Sequence, residues 1–459
     1  MSSVLPSIEQ QLIRSGQEHL LHYWDELDSK SKAKLQEQLE TIDFDLFRHL
    51  VEVMRNREET TAAPEISPCP FTSLDDPTAD WDALKQAGEA LIRQGKIGVL
   101  TVAGGQGTRL GWSGPKGTFP ATPVTGKSLF QIIAEQILFA SQKYGVKIPW
   151  YIMTSVENDQ ITRSFLLDNN CFGLDRTDIF IFPQGVVPAV DANGKMLLVE
   201  KDQIFMNPDG HGGVIAALKS SGALEEMASR GVEQLAYVQV DNPLVKVVDP
   251  TFLGLHCSDQ SSGEVSSKCV LKSDPDERVG VFCNRGEATS IIEYSDMTSE
   301  QTHEMIDGKL AYCCGSIAAH LFSISFIENV ANDLPWHVAH KAVQHVDVST
   351  GDTSVSEEPN AYKFERFVFD LLPLASNSIV LQTKREEEFA PIKNAQGNDS
   401  AQTSMKLQRE RAVTWLRACG VEVPEDAMVE ISATTADSIE DLGKIELPTE
   451  ILAGEIISI

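Results

Sequence analysis

Between Lys96 and about Asn394, short continuous apolar runs alternate with longer helix-like stretches, and this alternation constrains the fold more than any other property of the sequence. The apolar runs are Ile97–Ala103, Trp150–Thr154, Ile179–Phe182, Leu235–Val240, Val279–Cys283 and Ile291–Tyr294, with helix-like stretches near 128–143, 157–168 and 212–230. A strand that is apolar throughout, rather than at every second position, has both faces covered, as parallel strands do in α/β proteins. The expected fold class is therefore α/β: a doubly wound, mixed but mostly parallel sheet. Ligands of such sheets bind beyond the carboxyl ends of the strands, so chemistry is expected in the loops that follow them.

Different sequence flanks this region. Residues 1–58 place Leu12, Ile13, Leu20, Leu27, Leu35, Leu39, Leu46 and Leu50 at helical spacing among polar residues, which predicts an N-terminal helical arm. Residues 60–80 are proline-rich and read as a linker, and a helix is expected from about Trp81. After residue 400 come a helix over Met405–Arg417 and short strand-like pieces, a small C-terminal domain. The expected segments are residues 1–95 (arm and linker), 96–400 (catalytic domain) and 401–459.

The 459 residues hold 38 Lys+Arg against 67 Asp+Glu, a net charge of -29. Cationic side chains supply most of the affinity for phosphate backbones, so no nucleic acid partner is expected, and no basic stripe faces an anionic membrane. Hydrophobic residues at 42% are ordinary for a globular chain with a buried core. No apolar run approaches the ~20 residues of a membrane span, and the first residues lack the cationic start and apolar stretch of a signal peptide. The expected location is cytoplasmic. The eight cysteines are dispersed without a C-x-x-C pair, and read as reduced thiols, with Cys313 and Cys314 on opposite faces of a strand.

The acidity is uneven. From residue 90 to 134 there is no Asp or Glu, while Arg93, Lys96, Arg109, Lys116 and Lys127 give +5. Inside this stretch the first strand runs into Ala103-Gly104-Gly105-Gln106-Gly107-Thr108-Arg109-Leu110-Gly111, followed by Gly114-Pro115-Lys116-Gly117. Glycines after a strand let main-chain N–H groups approach a phosphate. The loop is not a Walker A sequence, and a dinucleotide fingerprint started at Gly105 meets Leu110 where its third glycine belongs. What remains is a glycine loop with Arg109 and Lys116 around a proline-stiffened turn, suited to a polyphosphate.

These residues resemble the signature of sugar nucleotidyltransferases, and specifically of the UDP-N-acetylhexosamine pyrophosphorylases. Further stretches similar to that family are Pro149–Ser155, Pro208–Gly213, Val240–Lys246, Ile292–Ser295, Phe364–Asp370 and Glu388–Asn394, together spanning roughly residues 81–400. The resemblance implies a nucleotide-diphospho-sugar transferase fold and transfer of a uridylyl group from UTP to an amino-sugar 1-phosphate, with release of pyrophosphate. A phosphate monoester is largely dianionic at neutral pH, so its attack needs no general base, and catalysis is expected from positioning and charge neutralisation.

Carried onto this chain, the resemblance implies that Gly104, Gly105 and Gly107 contact the nucleotide, with Arg109 and Lys116 on the reacting phosphates. Gln184 and Gly210 match positions that contact uracil; an amide offers both donor and acceptor to a pyrimidine edge. Asp241, at the end of an apolar strand, would hold Mg²⁺ together with substrate phosphates, or else cap a helix. Lys246 is either functional or a surface lysine. Glu293 matches a position that binds sugar hydroxyls, and Lys341 and Lys393 match cations assigned to substrate phosphates. Two departures bear on the sugar: His211 stands where the family commonly has Asn, and the segment Cys314–His320 carries Ser316 and Ala319 where it usually offers an asparagine. Broad-specificity UDP-sugar pyrophosphorylases can carry His at the former position, so glucose, galactose and N-acetylgalactosamine 1-phosphates stay open beside N-acetylglucosamine 1-phosphate, as does a non-catalytic UDP-sugar sensor. The sequence sets no oligomeric state.

Overall fold

The computed structural model describes residues 5–57, 65–330 and 334–459, so the first part of the expected linker, 60–64, lies outside the described residues. The chain divides into two compact units, one of residues 1–62, 184–214 and 333–368, the other of 63–183, 215–332 and 369–459. This division by contact cuts the chain at places other than the ends of the three sequence segments.

The larger unit is built on an eleven-stranded mixed sheet. Its strands are β1 (Ser67–Pro68), β2 (Thr72–Ser73), β3 (Ile97–Val102), β4 (Trp150–Thr154), β5 (Ile179–Pro183), β6 (Gln234–Gln239), β7 (Val265–Leu271), β8 (Val281–Arg285), β9 (Ala288–Ile292), β10 (Cys314–Ser323) and β11 (Ile379–Gln382). The order runs β2-β11-β7-β10-β6-β3-β4-β5, with β8 bridging β10, β9 and β1. β6, β3, β4 and β5 are all parallel, and β10 reverses direction against β6. The chain leaves β3 toward β4 on one side and later returns to place β6 on the other, so the sheet has a topological switch point between β3 and β6.

Local signals explain the helices. Asp80 accepts from Ala83 N to start Trp81–Arg93, and Ser128 accepts from Gln131 N to start Leu129–Tyr144, which ends at left-handed Gly145. The helix expected near 212–230 is two, Val214–Ser220 and Ala223–Arg230, because left-handed Gly222 (φ 80°) breaks it. Helix Trp81–Arg93 meets Pro250–His256 at a pair of glycines: a Cβ on Gly88 would stand 1.8 Å from the carbonyl oxygen of Pro250, and one on Gly254 1.8 Å from that of Leu84. The main core joins Ile97, Val99, Trp150, Ile152 and Val238 to Phe130, Ile133 and Ile137 of the helix after the glycine loop.

Five strands of this sheet, β1, β2, β7, β10 and β11, lie outside the expected apolar runs, and β7 and β10 are the longest of them. β7 reads Val-Ser-Ser-Lys-Cys-Val-Leu, yet Ser266, Ser267 and Lys268 are fully buried, each with a polar partner on a neighbouring segment. β10 carries Ala318 at φ 53° within a register irregularity against β7, a bulge that breaks the expected alternation. Cys313 precedes β10 and Cys314 opens it, with sulfurs 3.9 Å apart, so the two do not lie on opposite faces of a strand as expected; all eight cysteines are free thiols. Residues after 400 form helix Ala401–Ala418, capped by Ser400 and Thr403, and a parallel pair of short strands, Met428–Glu430 with Ile456–Ser458. Among the described residues no helix is long and apolar enough to cross a membrane.

In the smaller unit the expected arm is three helices, Pro6–Ser15, Ser29–Thr41 and Phe44–Asn56, the last two started by Asp28 and Asp43. Leu12, Leu35, Leu39 and Leu50 bury against Val190, Met196, Leu198 and Phe364, so the helices share a core with residues distant in the chain. The unit also holds four antiparallel strand pairs among the described residues: His337–Lys341 with Ala361–Glu365, Val186–Pro188 with Met206–Pro208, Leu198–Glu200 with Gln203–Ile204, and His345–Val346 with Thr353–Ser354.

Candidate active site

The glycine loop and Asp241 follow the two strands that flank the switch point: β3 ends at Val102, β6 at Gln239, these two residues are register partners, and Val240 N donates to Val102 O at 3.2 Å. The loop folds back on itself. Gly107 N donates to Gly114 O at 2.9 Å and Lys116 N to Gly105 O at 3.0 Å, which brings Lys116 beside the first glycines. The two later glycines have different reasons to be glycine. A Cβ on Gly107 would stand 2.7 Å from the Cβ of Trp112, whereas one on Gly105 would meet nothing within 4 Å, so no protein atom requires Gly105 to be bare. Open space over a glycine at the carboxyl end of a parallel strand is where a nucleotide phosphate can approach the main chain.

Lys116 reaches Asp241: Nζ to Oδ2 is 2.9 Å, with both side chains largely buried. Burial alone would raise the Asp241 carboxyl, but Lys116 and Lys393 outweigh it and hold the group below the ordinary carboxylate range. The main chain ties Lys393 to the same point, since Ile392 N donates to Asp241 O at 2.8 Å. Lys393 also acts on Glu293, whose carboxyl is raised by burial and by Asp296 and lowered in part by this lysine. Ser316 stands close to Glu293 through Gly280: Ser316 N donates to Gly280 O at 2.8 Å, and a Cβ on Gly280 would lie 3.7 Å from Glu293 Oε1. Lys116, Asp241, Lys393, Glu293 and Ser316 therefore gather around the ends of β3, β6, β9 and β10. Arg109 stands exposed on the turn Thr108–Leu110 and makes no ion pair among the described residues.

The remaining candidates belong to the smaller unit. Gln184 is buried, and Gly185 O accepts from Asp209 N at 3.0 Å, which joins it to the Asp209–Gly213 turn. Gly210 (φ 83°) lies against the chain near Arg366, where a Cβ would meet a carbonyl oxygen at 2.4 Å. Arg366 pairs with buried Asp209 at 2.6 Å. His211 Nδ1 accepts from Val368 N at 3.1 Å, so the neutral ring carries its proton on Nε2, and the ring stacks on Phe367, which also stacks on His337. Lys341 is exposed at the other end of the strand that begins with His337.

Three residues of this site carried no sequence signal. Fully buried Asn158 donates through Nδ2 to Gly104 O at 2.9 Å and Gly105 O at 3.2 Å, anchoring the carbonyls of the glycine loop. Asn242 donates to Glu388 O at 2.7 Å and accepts from Ala390 N at 3.0 Å, clamping the segment that leads to Lys393 against the end of β6. Asp399 lies 3.9 Å from Lys393 and takes the main-chain N–H of Lys393 on its carbonyl oxygen at 2.6 Å. Asn158 sits where a helix start is expected and Asn242 inside a motif already explained by Asp241, so neither stands out in one dimension.

Among the described residues no group of three His, Cys, Asp or Glu could cage a metal. One paired carboxylate, Asp241, beside the glycine loop does fit Mg²⁺, which takes one or two carboxylates and completes its shell with water and substrate phosphates.

Residues 44–412 match the family model described as UTP–glucose-1-phosphate uridylyltransferase. The chain belongs to this uridylyltransferase family. Within it, the UDP-N-acetylglucosamine diphosphorylase 2 of Arabidopsis thaliana is 36% identical over 434 residues, which is 88% of this chain and 83% of that protein. The UDP-N-acetylglucosamine pyrophosphorylase of Saccharomyces cerevisiae is 32% identical, covering 95% of this chain and 96% of its own length. The crystal structure of the uridine diphosphate N-acetylglucosamine pyrophosphorylase of Trypanosoma brucei in complex with an inhibitor superposes with a TM-score of 0.79 at 25% identity, covering 97% of this chain and 95% of that one.

Proposed function

We propose that this chain converts UTP and N-acetylglucosamine 1-phosphate into UDP-N-acetylglucosamine and pyrophosphate. An oxygen of the sugar phosphate attacks the α-phosphorus in line, a P–O bond forms there, and the bond to the bridging oxygen breaks as pyrophosphate leaves. The observation that carries the reading is the Lys116–Asp241 pair beside a glycine loop with open space over Gly105. Gly104, Gly105 and Gly107 hold the nucleotide phosphates, Gln184 and Gly210 take the uracil, and Lys341 steadies a substrate phosphate. Lys116, Arg109 and Lys393 neutralise charge on the reacting phosphates, and no proton has to move. Asp241 would hold Mg²⁺, which when bound adds positive charge at the α-phosphate and the departing pyrophosphate.

On the sugar side Glu293 accepts hydroxyl hydrogen bonds, with His211 and Ser316 beside the sugar. A second reading, a broader or different sugar, is favoured by one feature: small Ser316 and Ala319 flank left-handed Ala318 on β10 and offer no amide. Pyrophosphate release under Mg²⁺ from UTP and a panel of sugar 1-phosphates, compared by kcat/KM, tests both. A clear preference for N-acetylglucosamine 1-phosphate supports the first, equal use of several sugars the second, and nucleotide binding without pyrophosphate release overturns both in favour of a sensor.

A further inference from the structure

One lysine of the core is tied to both of the segments that carry Asp241 and Lys393. Lys268 lies on β7 with 1% of its side chain exposed. Its Nζ is 2.7 Å from Asp249 Oδ2, 2.6 Å from Glu388 Oε2 and 2.8 Å from Glu388 Oε1, one acceptor for each of its three N–H groups. The lysine keeps its charge there: burial works against the ammonium, but Asp249 and Glu388 outweigh it and hold the group above the ordinary lysine range. The Phe252 ring lies against it, 5.3 Å from Nζ to the centroid.

Each carboxylate fixes a different segment. Asp249 ends the stretch that begins at Asp241. Its Oδ1 accepts from the main-chain N–H groups of Thr251 and Phe252 at 3.0 and 3.3 Å, which starts helix Pro250–His256, and its Oδ2 is left for Lys268. Glu388 opens the stretch that leads to Lys393. Its carboxylate also accepts from the Thr383 hydroxyl at 2.6 Å, and its carbonyl oxygen accepts from Asn242. One ammonium and two carboxylates leave one negative charge in excess, and two half-buried cations answer it. Burial would raise the Asp249 carboxyl, but Lys268 and Lys246 hold it well below the ordinary carboxylate range, and Arg411, whose charge burial opposes, interacts with Glu387 and Glu388.

A buried ion cluster is a poor stabiliser, because desolvation offsets most of the attraction and apolar side chains of the same volume hold a core as well. Short, directional bonds from one rigidly held donor to acceptors on two segments do set the distance between those segments. We propose that Lys268 is a positioning residue: through Asp249 and Glu388 it fixes residues 241–249 against 388–393, and so sets where Lys393 stands relative to the Asp241 carboxylate. Fully buried, it acts only through those two partners. Its consequence for turnover rests on the uridylyltransferase reading; the positioning does not.

Hydrogen exchange on the full chain, read by mass spectrometry, tests the positioning without any reaction. In Lys268→Met, main-chain exchange should rise about tenfold or more in residues 241–249 and 388–394, and stay at the parental rate in the glycine loop and in the smaller unit. A rise spread evenly over the larger unit, or no rise, would overturn the proposal. Lys268→Met leaves two buried carboxylates facing each other, so a second variant, Lys268→Met with Glu388→Gln, removes one cation and one anion and keeps the net charge and the main-chain carbonyl at 388. It should fold and show the same local rise. Parental exchange in this double variant would reduce the lysine to a neutralising charge, and failure to fold would make it a stability element; either overturns the proposal. With UTP and N-acetylglucosamine 1-phosphate both variants should lose about 100-fold in kcat with KM for UTP little changed, as expected for a displaced charge-stabilising group. Parental kcat, or kcat and KM altered alike, would overturn the consequence for turnover. A parent chain that releases no pyrophosphate overturns the uridylyltransferase reading instead, and the exchange rates still decide the positioning.

Discussion

Lys116 Nζ and Asp241 Oδ2 meet at 2.9 Å across 125 residues of sequence, one group supplied by the loop after β3 and the other by the end of β6. The pair holds an ammonium and a carboxylate at the switch point of the sheet, and in the proposed reaction the lysine would take a polyphosphate and the aspartate a divalent cation. Lys116→Ala should lower kcat by about 100-fold or more with the melting temperature little changed, because its charge acts on the transition state. Asp241→Asn should retain UTP binding and lose Mg²⁺ dependence, which Mn²⁺ binding followed by electron paramagnetic resonance would show directly. Full activity in Lys116→Ala would remove this lysine from the mechanism.

Asn158 anchors the carbonyls of Gly104 and Gly105 from the buried side of the loop. Asn158→Ala should raise KM for UTP by about tenfold and cost about 1–3 kcal/mol of stability, the range for stranding buried acceptors. Steady-state kinetics and urea denaturation read the two effects separately. A stability loss with unchanged KM would reduce Asn158 to a purely structural residue.

Asn242 clamps Glu388–Ala390 to the end of β6, and so sets where Lys393 stands relative to Asp241. Asn242→Ala should lower kcat by about 100-fold through misplacement of the lysine while KM for UTP moves little, since small displacements of a charge-stabilising group act on the transition state. Equal changes in kcat and KM would argue against a positioning role.

His256 is the pH-sensitive element of the core. Its ring is fully buried, hydrogen-bonded to Ser266 and Gln234, and burial pulls its pKa from 6.5 down to about 4. A depressed pKa in the folded state means that stability is complete above pH 6.5 and is lost as the pH falls toward 4, because the unfolded chain takes up the proton first. The loss should approach about 3 kcal/mol, and His256→Gln should remove that part of the pH dependence in chemical denaturation. An unchanged pH profile in the variant would exclude this source.

Legibility in the sequence followed how local each interaction is. The glycine loop is readable because its hydrogen bonds close within a dozen residues, and β3, β4 and β6 because each contains a run of consecutive apolar residues. β7 is not, because Ser266, Ser267 and Lys268 become buried only when His256, His320, Asp249 and Glu388 arrive from elsewhere in the chain. The helix near 212–230 reads as one element until Gly222 takes a left-handed conformation. The smaller unit is assembled from three separated stretches, and no local pattern announces that the N-terminal leucines will bury against Val190 and Phe364.

The sequence by itself determined the α/β class, the acid-free glycine loop and the chemistry its cations suit, since apolar runs, glycines and charges act through neighbours a few residues away. Only the tertiary structure decided that Lys116 faces Asp241, that Asn158 and Asn242 hold the loop and Lys393 in place, and that Asp249 and Glu388 meet at buried Lys268. Those relationships depend on strand order and on desolvation, and both exist only once distant segments have packed together.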